Sequence, residues 1–319
     1  MHDLIGEMLV KRLGNPVLRE LTDSAFIDYK EGLAFTTDSF VVSPLFFPGG
    51  DIGKLAVCGT VNDLVMMGAV PEFLSLALII EEGLDKRVLC RVIDSISATA
   101  TKCGVKIATG DLKVVEKGAA DKLFINTSGI GRVVGNRKLS ARSINDGDKI
   151  ILTGDIGRHG LAVLTKRKDL GLGFSIRSDC AALNHLIVPI IKKARGIKFM
   201  RDPTRGGVAT TLNEIAVSSG IGIVIEEESI PVLSKVKAAG ELLGIEPLYV
   251  ACEGCAIIVV KTENAGQVLR MLKKNRQGFF ASIVGEFSRK ARGRVVLNTS
   301  YGTRRIIDML AGEALPRIC

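Results

Sequence analysis

Short apolar runs alternate with longer amphipathic stretches along most of this chain, and breaks rich in glycine and proline separate them. Leu33 to Thr37 reads as a strand running into Asp38; Pro44, Pro48, Gly49 and Gly50 then mark a loop. Ile52 to Met67 reads as a helix opened by Asp51. A strand over Phe73 to Ile80, a helix over Lys86 to Cys103, a strand from Val105 to Thr109 leading to Gly110-Asp111 and a strand over Leu123 to Ile130 follow. Gly135 to Gly147 is polar and turn-rich and carries the expected domain boundary. The alternation then resumes: strand Lys149 to Thr153 into Gly154-Asp155, helix Cys180 to Lys193, Lys198 to Met200 leading into Arg201 to Gly207, and helix Ala209 to Ser219. Strands Ile221 to Ile225 and Ala256 to Val260, helix Glu263 to Lys274, and strands Ser282 to Phe287 and Arg294 to Asn298 complete it. Both halves are therefore α/β or α+β. The expected organisation is a polar lead-in (1–32) with an acidic turn at Leu21 to Ser24, an N-terminal domain (33–140), a C-terminal domain (141–303) and a tail (304–319).

In the tail, Ile306, Ile307, Met309 and Leu310 suit one face of a short helical turn, which Gly312 and Pro316 end. Leu315 to Cys319 should then be a free or loosely docked arm, and a thiol on such an arm can visit a site and leave it.

Composition narrows the function. A length of 319 residues suits two domains. Tryptophan is absent and aromatics are 5%, so the cores must be aliphatic and bases would find few stacking partners. No apolar stretch approaches a bilayer span, and the first residues lack a signal-peptide pattern; the expectation is a cytoplasmic protein without membrane contact. Seven scattered cysteines point to reduced thiols. The formal charge of +9 comes from dispersed clusters such as Lys166-Arg167-Lys168 and Lys273-Lys274-Arg276. They match no nucleic-acid motif, so solvated faces or a surface for an anionic ligand or acidic partner are expected, and no nucleic acid.

Four apparent strands run into an aspartate, at Asp38, Asp111, Asp155 and Asp202, where ligands of α/β sheets gather. Asp63 adds a carboxylate to an otherwise apolar helix. Any one of these is ordinarily a turn or cap residue. Asp38, Asp63 and Asp111 together suit a shared site in which Mg²⁺ and nucleotide phosphates compensate the carboxylates. Walker and dinucleotide loops are absent: around Gly53-Lys54, Pro48 and Leu55 occupy the positions that such a loop needs for Gly and Ser/Thr.

Thr36 to Ala69, Thr109 to Val115, Arg201 to Ala216 and the closing Pro316 to Cys319 closely resemble the HypE family of hydrogenase-maturation carbamoyl dehydratases. This family belongs to the aminoimidazole ribonucleotide synthetase superfamily. The resemblance implies a two-domain α/β fold whose N-terminal domain forms an intersubunit β-barrel in a homodimer, with ATP at that interface, and a C-terminal layer domain carrying a mobile tail. It implies that the carbamoyl transferase HypF loads Cys319, that ATP drives dehydration of the thiocarboxamide to a thiocyanate, and that the cyano group passes to iron on a HypC–HypD complex. The implied site residues are Cys319, Glu253 as base and Lys113 as a charge neutraliser, with Asp38, Lys54, Asn62, Asp63, Thr109, Gly110 and Asp111 at Mg-ATP. Asp38, Asp63 and Asp111 are the implied metal ligands. The chain departs from the family pattern at Cys252 and Cys255, which flank Glu253 in place of Asn and a basic residue, and at Leu112, Arg158 and Asp23.

Two other functions fit parts of the chain. A small-molecule kinase of the same superfamily would share the acidic motifs but have no use for Cys319. A metal scaffold could be built on Cys252-x-x-Cys255, although no second pair at zinc-finger spacing accompanies it.

Overall fold

The computed structural model describes residues 25–27, 32–135, 138–168, 174–310, 315 and 317–319. The lead-in turn with Asp23, and Gly312 and Pro316, lie outside the described residues.

The first half is a five-stranded sheet in the order β1 (Ala25–Ile27), β2 (Leu33–Phe40), β7 (Leu123–Val133), β5 (Ala69–Glu81) and β6 (Lys106–Val115). All neighbours are antiparallel except β5 and β6. Helix α1 (Ile52–Met66) lies across one face of this sheet and α2 (Lys86–Cys103) packs on α1. Asp51 caps α1: its Oδ1 accepts the N–H groups of Gly53 (2.9 Å) and Lys54 (3.0 Å), satisfying donors that have no partner inside the helix. The minimal hairpin of β3 (Phe46–Phe47) and β4 (Gly50–Asp51) leads into that cap.

The second half is a seven-stranded sheet in the order β14 (Arg304–Ile307), β13 (Val295–Asn298), β10 (Ile223–Glu226), β12 (Ser282–Phe287), β8 (Lys149–Leu152), β11 (Ile257–Val260) and β9 (Ile197–Arg201). Helices α3 (Arg158–Lys168), α4 (Asn184–Lys193), α5 (Gly207–Ser219), α6 (Ser234–Leu243) and α7 (Thr262–Lys273) accompany it. The helical turn expected in the tail is corrected to β14, because Arg304 to Ile307 pair with Asn298 to Val295.

Thirteen of the fifteen residues of α1 are buried, including polar Thr60 and Asn62. A helix apolar on every side must be covered on every side. One side of α1 meets the N-terminal sheet, and the opposite side meets α4 and β9 of the second half. One aliphatic core therefore runs through both halves, joining Leu55, Val61 and Ile125 to Leu183, Ile187 and Ile258.

Strand alternation sorts the N-terminal sheet into two faces. Asp38, Thr127, Leu76 and Gly110 form one cross-strand row on the α1 face, where Thr127 Oγ1 touches Thr60 Oγ1. The neighbouring row, with Thr37, Ser128, Ser75 and Thr109, faces away from α1. Asp111 and Lys113 belong to that outer face together with the exposed side chains of Phe35, Phe73 and Ile79.

Candidate active site

Asp38 and Asp63 sit beside each other's elements on the α1 face. Thr36 Oγ1 donates to Asp63 Oδ2 (2.7 Å), tying α1 to β2. Asp38 accepts the Ser39 N–H (2.8 Å), and its Oδ2 lies against Gly59 of α1, where a Cβ would approach to 3.4 Å. Asp202, placed after β9 and 5% exposed, and Glu253, 2% exposed, complete an acidic group. Burial, then the charges of Cys180, Asp202, Asp38 and Asp179, pushes the Glu253 carboxyl well above its usual range. Glu253 Oε1 is buried with no hydrogen-bond partner among the described residues.

The expected clustering of Asp111 with Asp38 and Asp63 does not occur within one chain. Asp38 and Asp111 are three strand steps apart, about 14 Å at the usual strand spacing, and they point to opposite faces. Both Asp38 and Asp111 also lie inside strands rather than beyond strand ends, because β2 and β6 run further than their apolar cores suggest. Thr109, Gly110, Asp111 and Lys113 are all exposed on edge strand β6, where Lys113 Nζ lies 3.3 Å from Asp111. Lys54 is half-buried and donates to the Gly49 carbonyl (2.8 Å).

Asn62, expected at the nucleotide, braces backbone of the second half. Its Nδ2 donates to the carbonyls of Ala181 (3.1 Å) and Glu253 (3.4 Å), and its Oδ1 accepts the Leu183 N–H (2.8 Å). Cys252 and Cys255 are core thiols, 0% and 1% exposed. Cys252 Sγ accepts the Gly157 N–H (3.3 Å) and Cys255 Sγ donates to the Gly154 carbonyl (3.5 Å). Burial first, then the Asp179 charge, pushes the Cys255 thiol up to about 12. Burial, and not the flanking thiols, is thus the main cause of the raised Glu253 carboxyl.

The end of the tail is docked, one of the two expected arrangements. The Val41 N–H donates to the Cys319 main-chain oxygen (3.1 Å) and the Ser43 N–H to the Arg317 carbonyl (3.3 Å). Arg167 of α3 donates to the carbonyls of Ser43 (2.8 Å) and Arg317 (2.6 Å). Arg317 reaches the Val41 carbonyl (3.1 Å) and Asp121 (2.6 Å). Ile318 is buried, and the Ile318 carbonyl meets His159 Nε2 at 2.9 Å. A carbonyl only accepts, so Nε2 carries the proton; Nδ1 then accepts from the Ser178 hydroxyl (2.8 Å). Burial lowers the His159 pKa from 6.5 to about 4, keeping the ring neutral. Cys319 is half-buried beside Val41, three residues along the chain from Asp38, about 10 Å of extended strand.

Sequence reasoning passed over Asp179, which accepts the N–H groups of Glu253 and Gly254 (3.1 Å each), and the tail clamps Arg167 and His159. The Ser178-Asp179 pair ahead of an apolar run was the available signal for Asp179. The two clamps left none, since each acts on backbone far away in sequence.

The architecture and the sequence both have close counterparts. Residues 21–133 match the N-terminal domain family of AIR synthase related proteins, and residues 145–298 match its C-terminal domain family. The chain is 45% identical to the carbamoyl dehydratase HypE of Rhodobacter capsulatus over 322 residues, covering 100% of this chain and 95% of that protein. A crystal structure of a HypE–HypF complex superposes with a TM-score of 0.92 at 46% identity, covering 96% of this chain and 99% of that one. A crystal structure of HypE in complex with ATP superposes with a TM-score of 0.87 at 42% identity, covering 100% of this chain and 96% of that one. On sequence and fold together, the chain belongs to the HypE carbamoyl dehydratase family.

Proposed function

We propose that this protein uses ATP to dehydrate a carbamoyl group carried on the Cys319 sulfur, giving a thiocyanate for hydrogenase maturation. One observation carries this reading: Cys319 is held at the end of β2, whose Asp38 faces the buried Glu253. An amide oxygen is a poor leaving group. Transfer of the ATP γ-phosphoryl to that oxygen makes it a good one. ADP leaves and nitrogen gives up one proton as the O-phosphorylated imidate forms. Loss of phosphate with the second nitrogen proton then leaves C≡N on sulfur, and Glu253 is the base for these protons.

Phosphoryl transfer is chiefly positioning and charge neutralisation. The carboxylates of Asp38 and Asp63 offer hard oxygen ligands, and the crowding of Asp38, Asp202 and Glu253 calls for a compensating cation. These residues fit Mg²⁺ shared with phosphate oxygens, which needs only one or two carboxylates. When bound, Mg²⁺ would neutralise the phosphate charge. Thr109, Asp111 and Lys113 can join that site only from a second copy, because in one chain they face the other way, and Gly110 would come with them on the same edge strand. The outer face carrying Phe35, Phe73 and Ile79 is the proposed homodimer surface. Loading by the HypF transferase, and delivery to a HypC–HypD complex, require the tail to leave its groove and return.

The test is the mass of the peptide ending in Cys319 after incubation with the transferase, carbamoyl phosphate and ATP. A carbamoyl adduct converting to a cyano adduct only when ATP is present is expected. An adduct on Cys58, Cys90, Cys103 or Cys180 instead would overturn the reading.

A further inference from the structure

Three segments distant in sequence meet behind the Glu253 side chain. The turn Glu253-Gly254 lies against the loop 178–183, and α1 closes on both. The loop holds the turn from one side: Asp179 Oδ2 accepts both turn N–H groups at 3.1 Å, and the Ala181 N–H donates to the Glu253 carbonyl at 3.2 Å. The approach is so close that a Cβ on Gly254 would lie 2.0 Å from the Asp179 carbonyl oxygen, so only glycine fits there. From the other side, Asn62 bonds the Glu253 carbonyl and clamps the loop at Ala181 and Leu183. Asn62, Asp179, Leu183 and Glu253 are buried, and Ala181 and Gly254 are half-buried. Loop 178–183 is itself moored to the first half, since the Ser178 N–H donates to the Pro48 carbonyl (2.8 Å).

Glu253 Oε1 has no partner of its own among the described residues. The direction in which the carboxylate points is therefore set by the backbone of its turn, not by bonds at its tip. We propose that Asp179 and Asn62 are positioning residues for Glu253, fixing its turn from opposite sides, and that Asn62 acts there rather than on the nucleotide. This rests on Glu253 being the base of the proposed reaction. It adds that the base is in place only while the two halves of the chain are closed on each other, because Asn62 belongs to one half and Asp179 and Glu253 to the other. Misplacing a reacting group by about 1 Å can cost about 100-fold in rate, so a small slackening of this turn is enough to matter.

The experiment uses full-length protein carrying Asn62→Ala, Asp179→Ala or Asp179→Asn. Three quantities are measured on each: nucleotide affinity, dehydration rate of preloaded Cys319 in single turnover, and hydrogen exchange at the Glu253 and Gly254 amides. Asn62→Ala and Asp179→Ala should bind ATP within about twofold of wild type, dehydrate about 10- to 100-fold more slowly, and exchange both amides faster. Asp179→Asn keeps an oxygen acceptor, so it should restore amide protection and most of the rate; this rescue separates positioning from general unfolding. Asn62→Ala that weakens ATP binding as strongly as Asp63→Asn would overturn the assignment of Asn62. Unchanged exchange at both amides in the alanine variants would overturn the proposal as a whole. A wild-type protein that forms no thiocyanate would remove the dehydratase reading, while the exchange data still decide whether these residues hold the turn.

Discussion

Replacing His159 with alanine should release the tail by a calculable amount. His159 Nε2 supplies the donor for the buried Ile318 carbonyl, and the ring also packs edge-on against Phe47 with centroids 5.3 Å apart. Removing the donor leaves a buried acceptor unsatisfied, at roughly 1–3 kcal/mol. The docked arm keeps its other bonds, from Val41, Ser43, Arg167 and Arg317, so it should still dock but open more often. At about 1.4 kcal/mol per tenfold, the population of the open state should rise roughly 5- to 150-fold. The assay is amide hydrogen exchange at Val41 and Ser43, whose N–H groups donate to the Cys319 and Arg317 main-chain oxygens. Protection at these two amides should fall by that factor while β7 and α1 amides stay unchanged. Unaltered protection at Val41 and Ser43 would show that the imidazole does not hold the arm, and the account of the tail groove would fail with it.

Acid should destabilise the fold through the same residue. Its folded pKa, lowered by burial from 6.5 to about 4, means that the unfolded chain takes up the proton first as pH falls. Stability is then full above about pH 6.5 and declines toward pH 4 by on the order of 3 kcal/mol; denaturant titrations of wild type and His159→Gln should differ in that window, and parallel curves would refute it. Asp63→Asn should abolish ATP-driven dehydration while Cys319 still accepts carbamoyl, since an amide oxygen can still accept from Thr36; unchanged turnover would remove Asp63 from the site. Thiol reagents applied to the native protein should modify exposed Cys90 and half-buried Cys319 and spare Cys252 and Cys255, so labelling of Cys255 by mass spectrometry would contradict its place in the core. Dehydration should also fall on dilution faster than protein concentration if Asp111 serves a second copy, and strictly proportional loss would argue for a self-sufficient chain.

Elements with a one-sided apolar pattern were legible from the chain alone. Helix Lys86–Cys103 buries Val92, Ile96, Ala100 and Cys103 at helical spacing and ends on a left-handed Gly104, so both pattern and stop signal agree. Helix Arg158–Lys168 was missed because its basic end, Lys166 to Lys168, hid the buried run Leu161 to Leu164. Motifs single out Asp38, Asp63, Asp111 and Glu253 as candidates, but how the fold groups them was not legible. Which face a strand residue takes depends on pairing, and Asp111 is turned outward by its register with Ala77. The bracing role of Asn62 was hidden for the same reason: its partners are backbone groups 119 to 191 residues away, which no local pattern encodes.

Helix α1 has a consequence for how the chain is made. Its far side is covered by α4 and β9, which begin at Asn184 and Ile197, long after Met66 has left the ribosome. Synthesis adds roughly 5–20 residues per second, so that apolar side stays uncovered for some seconds to tens of seconds. During this interval Leu55, Val61 and Val65 belong to a half-built core that invites chaperones and wrong partners. Truncated chains stalled after the first sheet should therefore be held by chaperones, and the full-length protein should unfold in one transition, because neither half can keep this helix dry alone.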